Sequence, residues 1–195
     1  MDKETISSYN RDAESIAKIH STLKPARIYE LIGQYFIKNG TTADIGCGIG
    51  RDTHWLSQQG FLAIGVDASE EMLKQATSLY PRERFIRDDL PDLKSLKSSD
   101  FQNILCSAVL MHLSPDDLKK ACHRLLQLLK NEGCLLISFR GTNNPDRREN
   151  GKLYETINFQ EFTDFFIQNG CSILLQESEV EAGRNLTWHN IVIKK

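Results

Sequence analysis

Apolar and polar positions alternate along the chain with two periods, 3.6 and 2, and the two periods take turns. Residues 4–20 read as a polar helix with a narrow apolar stripe: Ile6, Tyr9, Ala13, Ile16 and Ala17. Such a stripe can lie against a domain without joining its core. A second helix starts at Pro25, turns Ile28, Leu31, Ile32, Tyr35 and Phe36 to one face, and stops at Asn39-Gly40. A strand over Thr41–Ile45 leads into Gly46-Cys47-Gly48-Ile49-Gly50, and a helix follows to about Gln59. Phe61–Val66 is an apolar strand ended by Asp67, and Ser69 caps the next helix, with Glu70 and Glu71 in its first turn. Short strands follow over Arg84–Arg87 and Phe101–Ser107. Ser114-Pro115 opens a helix striped by Leu118, Ala121, Cys122, Leu125, Leu128 and Leu129, closed by Asn131-Glu132-Gly133.

Cys134–Phe139 is a continuous apolar run, the mark of a strand at the centre of a parallel sheet. Asn158 caps a last helix with Glu161 at its third position and Phe162, Phe165 and Phe166 facing inward. Two strands, about 172–178 and 187–194, have no helix between them and pair as an antiparallel hairpin. The order predicts an α/β fold: a doubly wound, Rossmann-like, mostly parallel seven-stranded sheet with helices on both faces and a C-terminal hairpin at the edge. Ligands in such folds bind beyond the carboxyl ends of the strands, where the candidate residues below fall.

The chain has 195 residues, which predicts a single domain over 1–195 able to bury a core without staples. Its 24 Lys and Arg against 26 Asp and Glu leave a formal charge of −2, too little basic field to gather nucleic acid. The longest mostly apolar run, Ile104–Leu113, has ten residues, against about 20 for a membrane span. Met1-Asp-Lys-Glu-Thr5 is no apolar leader, so a cytoplasmic location is expected. The five cysteines are odd in number and no pair has two-residue spacing, which predicts free thiols with neither a disulfide frame nor a zinc site.

The chemistry concentrates in Asp44-Ile45-Gly46-Cys47-Gly48-Ile49-Gly50. Glycines at alternate positions let the backbone turn sharply and approach a ligand. A dinucleotide fingerprint would need a glycine where Arg51 stands. Asp44 at the mouth of the loop is awkward for a pyrophosphate and suits a cation. Asp67, ending the second strand, is placed to take both hydroxyls of a ribose. A ligand carrying a ribose, an ammonium and a sulfonium answers this set best.

Asp44-Ile-Gly-Cys-Gly-Ile-Gly50, followed by Gly65-Val-Asp67-Ala-Ser69 with Met72, resembles the class I S-adenosylmethionine-dependent methyltransferases, and the likeness runs over about residues 25–140. The resemblance implies S-adenosylmethionine as cofactor and makes 1–24 a helical lid, 25–140 the cofactor-binding core and 141–195 the substrate side. It implies that Asp44, Gly46, Cys47 and Gly48 hold the methionine part and that Asp67 takes the ribose. Ala68 and Met72 would pack on the adenine, and Asp88 or its neighbour Asp89, with the Leu90 backbone, would meet the adenine edge. Cys106 and Ser107 would line the floor near the sulfonium. Tyr9 would close the methionine end, and Arg51 would pair with the methionine carboxylate.

For the acceptor the sequence offers less. His112, after the fourth strand, is the candidate general base, with a structural or pocket-shaping role as its alternative. Arg140 follows the fifth strand directly; with Tyr154 or Arg184 it could recognise an anionic group on a small molecule, against the alternative of surface arginines in loop salt bridges. The polar stretch Gly141–Lys152 reads as a long loop that could cover the substrate. The expected activity is methyl transfer to a small-molecule acceptor, one that could bear a carboxylate. Methylation of a protein or RNA, a non-catalytic cofactor-binding regulator and a nicotinamide-dependent reductase remain the rival readings.

Overall fold

The computed structural model describes residues 1–181 and 186–195. Two short helices come first, α1 (Lys3–Arg11) and α2 (Ala13–His20). The sequence predicts one helix here. The chain breaks it at Asp12, whose φ of −100° and ψ of 11° lie outside the helical basin. Asp2 caps α1 by accepting a hydrogen bond from the Thr5 amide. Helix α3 (Ala26–Tyr35) buries Ile28, Leu31 and Ile32 and ends earlier than Asn39-Gly40 predicts. Phe36 turns extended there and packs its ring edge-on against Phe61.

Strand and helix then alternate through β1 (Thr41–Ile45), α4 (Arg51–Gln58), β2 (Leu62–Asp67), α5 (Glu70–Leu79) and β3 (Phe85–Arg87). Next come β4 (Phe101–Ser107), a 3-10 turn over Leu110–His112, α6 (Pro115–Leu128) and β5 (Leu129–Arg140). The predicted caps form: Ser69 accepts from the Met72 amide and Ser114 from the Asp117 amide. Strand β5 starts well before Cys134, because Leu129 pairs with Phe101 across a register shift in β4. The predicted polar loop contains a small hairpin, β6 (Arg148–Glu149) with β7 (Lys152–Leu153). Helix α7 (Phe159–Gln168), β8 (Ser172–Glu181) and β9 (Leu186–Lys194) complete the chain.

Among the described residues, seven strands form one sheet in the order β3-β2-β1-β4-β5-β9-β8. The first five are parallel, and β9 runs antiparallel between β5 and β8. The pleat of β5 divides the core. Leu135, Ile137 and Phe139 join the layer with α6 and α7, whereas Cys134 and Leu136 join the layer with α3 and α4. A third cluster joins Ala13, Ile16 and Ala17 of α2 to Ile49 and Met72. The first two helices therefore lie over the glycine loop and α5. All five cysteines are buried thiols. Among the described residues, no helix is long and apolar enough to cross a membrane.

Candidate active site

The strand order reverses between β1 and β4, so the loops after these strands diverge and leave a cleft. The glycine loop borders it. Gly46, Gly48 and Gly50 have φ values of 75°, 53° and 76°, which favour glycine. A Cβ on Gly46 would lie 2.2 Å from Val109 Cγ2, and one on Gly50 would lie 2.5 Å from Phe85 Cζ. Those two glycines let the loop pack against its own chain. The amides of Gly46 and Cys47 both donate to the Val66 carbonyl, at 2.7 and 3.0 Å.

Asp67 fastens this loop to the next. Its Oδ2 accepts from the Gly48 amide and its Oδ1 from the Ser69 amide, each at 2.8 Å. Burial raises its pKa, against the pull of these hydrogen bonds. A carboxylate has about four acceptor positions, so Asp67 keeps acceptor capacity for a further hydroxyl donor. Asp44 lies beneath the loop and not at its open mouth: it is 2% exposed and accepts a 2.6 Å hydrogen bond from Thr53 Oγ1. Burial and the nearby Asp52 carboxylate raise its pKa. Arg51 is engaged by its neighbour. Its guanidinium grips Asp52 twice at 2.8 Å, and Tyr29 donates to the same carboxylate.

The remaining cofactor-side residues divide by exposure. Gly46, Gly48, Ala68 and Ser107 keep part of their surface open, whereas Cys47, Met72 and Leu90 are buried. Cys106 has no exposed surface and sits in the core, so the expected floor reduces to Ser107. Asp88 turns into its own loop, accepting from the amides of Asp89 and Ser95, and Asp89 is exposed. Asn10, which the sequence reading missed, draws α1 onto α5 by accepting from Ser69 Oγ at 2.7 Å.

The residues expected on the acceptor side form a chain of contacts between α1, the 3-10 turn, β5 and the small hairpin. His112 Nδ1 lies 2.5 Å from the Leu153 carbonyl, which can only accept, so this nitrogen carries the proton. Nε2 is then the acceptor for the Tyr9 hydroxyl, at 3.3 Å. Burial pushes the His112 pKa down to about 4. Tyr154 meets His112 edge-on at 4.9 Å, and the Arg140 guanidinium lies 4.1 Å over the Tyr154 ring. Trp188, paired with Arg140 across the sheet, brings its ring to 5.9 Å from the same group.

The structure thus brings Arg140, Tyr154, His112 and Tyr9 together, while Arg184 lies outside the described residues. It also supplies Glu149, absent from the sequence reading. Its carboxylate takes two hydrogen bonds from Arg140, at 2.8 and 3.0 Å, and one from Thr142 Oγ1 at 2.6 Å. Nothing local in the sequence assigns it to Arg140. Among the described residues, no three His, Cys, Asp or Glu side chains gather as a metal site.

Residues 43–133 match the family model of a methyltransferase domain. The chain is 33% identical over 117 residues to trans-aconitate 2-methyltransferase of Rhodopseudomonas palustris, a match covering 58% of this chain and 43% of the relative. It is 28% identical to malonyl-[acyl-carrier protein] O-methyltransferase of Hamiltonella defensa over 134 residues, 68% of this chain and 50% of the relative. The matches thus span about half the length of these curated relatives. A solved structure of 1,6-didemethyltoxoflavin-N1-methyltransferase from Burkholderia thailandensis, holding S-adenosylhomocysteine, superposes with a TM-score of 0.74 at 21% identity, covering 97% of this chain and 84% of that one. The matched segment runs from β1 into the first half of β5 and carries the glycine loop, Asp67 and His112. That methyltransferase-domain match covers somewhat under half of the chain, and the sheet turned antiparallel at its end is the fold of the solved S-adenosylmethionine-dependent methyltransferases it resembles.

Proposed function

We propose that the protein methylates a carboxylate oxygen of a small acid, using S-adenosylmethionine. The residues at the cleft fit that cofactor. Gly48 is a cradle where a Cβ would meet only the end of Met72, at 3.3 Å. Asp67 keeps acceptor capacity for a ribose, and Ala68 and Ser107 retain open surface beside it. The bound cofactor supplies a methyl group on a sulfonium, already a strong electrophile. The S–CH3 bond would break as the O–CH3 bond forms; the electron pair stays on sulfur, and the acceptor loses its negative charge.

The chain's own work is then to bind, align and exclude water. Asp67 fixes the ribose end, the glycine loop supports the amino-acid end, and α1 and α2 cover both. A carboxylate acceptor arrives ionised and needs no base. That suits His112, whose proton is held on Nδ1 and whose Nε2 faces Tyr9: it orients the Tyr9 hydroxyl and takes no proton.

One observation carries the acceptor class: Arg140, 5% exposed at the end of β5, already binds a carboxylate through two nitrogens, that of Glu149. A substrate carboxylate would take the place of Glu149 there. Two relatives support this reading, since their names give trans-aconitate and malonyl-[acyl-carrier protein] as acceptors. The test is transfer of labelled methyl from S-adenosylmethionine to a panel of small di- and tricarboxylic acids, amines and phenols. A base-labile methyl ester on an acid is expected. Turnover of amines or phenols alone would overturn the acceptor class.

A further inference from the structure

Five arginines near the covering elements each hold a carboxylate: Arg11 holds Asp12, Arg51 holds Asp52, Arg140 holds Glu149, Arg147 holds Glu155 and Arg148 holds Asp2. Lys152, on β7, holds none among the described residues. Its ammonium lies 4.7 Å over the ring of Tyr9. It is half-buried, and burial lowers its pKa, opposed by the charges of Asp12 and Glu149, neither of which it pairs with directly. A desolvated ammonium without a directly bonded counter-ion is unfavourable unless an anion joins it.

The position of Lys152 selects the anion. Gly151, at φ 79°, presses the hairpin tip on α1: a Cβ there would lie 2.5 Å from Ser8 Oγ. The Leu153 amide donates to Thr5 Oγ1 at 2.9 Å, which fixes the same strand. The charge of Lys152 is felt at His20, as is that of Arg51, whose guanidinium reaches the His20 carbonyl at 3.4 Å. The charge of Lys152 is also felt at His112, but its one ring contact is with Tyr9, which packs on the cluster that holds Ile49 of the glycine loop, whereas Arg140 lies over Tyr154 and near Trp188. Arg51, the cation that the sequence offers for the cofactor's carboxylate, is engaged by Asp52.

We propose that Lys152 binds the α-carboxylate at the amino-acid end of the cofactor, from the hairpin that covers the cleft. The proposal rests on the cofactor reading above. Binding would then tie the hairpin to the glycine loop through one ion pair and favour the covered form.

Calorimetry on the full chain tests it with two ligands. S-adenosylhomocysteine carries the carboxylate; 5′-methylthioadenosine keeps the nucleoside and the thioether and lacks it. Lys152→Met should weaken S-adenosylhomocysteine about ten-fold and leave 5′-methylthioadenosine unchanged. Lys152→Arg should keep S-adenosylhomocysteine within about three-fold, and a cooperative melt checks that both variants fold. Unchanged S-adenosylhomocysteine binding in Lys152→Met overturns the proposal, as does an equal loss for both ligands. Weakened trans-aconitate binding to the S-adenosylhomocysteine-saturated variant, with cofactor affinity intact, moves Lys152 to the acceptor carboxylate and overturns it too. Failure of the wild-type protein to bind S-adenosylhomocysteine overturns the cofactor reading itself, and this proposal with it.

Discussion

Arg140 and Glu149 close a bidentate pair beneath the Tyr154 ring, with nitrogen-to-oxygen distances of 3.0 and 2.8 Å. Their side chains are 6% and 19% exposed, so each shields the other from being a buried, unmatched charge. If the acceptor's carboxylate exchanges with Glu149, the two residues have opposite effects on its binding. Arg140→Met should raise the acceptor KM and leave S-adenosylhomocysteine affinity intact. Glu149→Gln should lower that KM by removing the competing charge. Steady-state kinetics of the two variants decides this; a higher KM in both would make Glu149 a support for Arg140 and not its competitor.

The same pair makes a prediction for stability. Removing one partner of a buried pair costs about 3 kcal/mol, because the other charge is stranded. Arg140→Met should therefore destabilise the fold by about that much, and the double variant with Glu149→Gln should recover part of the loss. Urea unfolding of the two single variants and the double variant measures the coupling.

Gly46 carries a steric and a conformational demand together. A left-handed φ costs an alanine about 1–2 kcal/mol, and its Cβ would also strike Val109 Cγ2 at 2.2 Å. Gly46→Ala should lower the melting temperature, and adding Val109→Ala should relieve the clash and leave the conformational part. Full recovery in the double variant would mean that the φ of 75° carries no penalty.

His112 ties stability to pH. Its pKa falls from 6.5 to about 4 on folding, with burial as the largest cause. Below pH 6.5 the unfolded chain takes up a proton that the folded chain refuses until about pH 4. The contribution of the neutral ring is thus complete above pH 6.5 and is lost as pH falls through that window. The loss amounts to about 3 kcal/mol. Denaturation curves of the wild type and of His112→Asn across this range should converge toward pH 4. Parallel curves would show that His112 is not buried neutral.

The alternating part of this fold is legible because its helices bury one face and its central strands bury whole apolar runs, and each leaves its pattern in the sequence. Ser69 and Ser114 are legible as caps for a local reason: each bonds an amide only three residues on. The β6–β7 hairpin is not legible. With two residues a strand and no buried apolar face, it leaves no periodic trace in a polar run. Candidate site residues are legible one at a time, and their partners are not. Arg140 stands out by following β5, but nothing local says that Glu149 takes its guanidinium, or that Asp52 takes that of Arg51. The break at Asp12 is hidden because the stripe of residues 4–20 continues through it; Tyr9 goes to His112, and Ala13 and Ile16 go to Met72.

The central claim is that the cleft bordered by the glycine loop and Asp67 takes S-adenosylmethionine. Calorimetric titration of the purified chain with S-adenosylmethionine, S-adenosylhomocysteine and NADH, repeated on Asp67→Ala, tests it most directly. The predicted result is micromolar binding of the first two ligands, no binding of NADH, and a loss of about ten-fold or more in Asp67→Ala. Preferential binding of NADH, or S-adenosylmethionine affinity that survives Asp67→Ala unchanged, would contradict it.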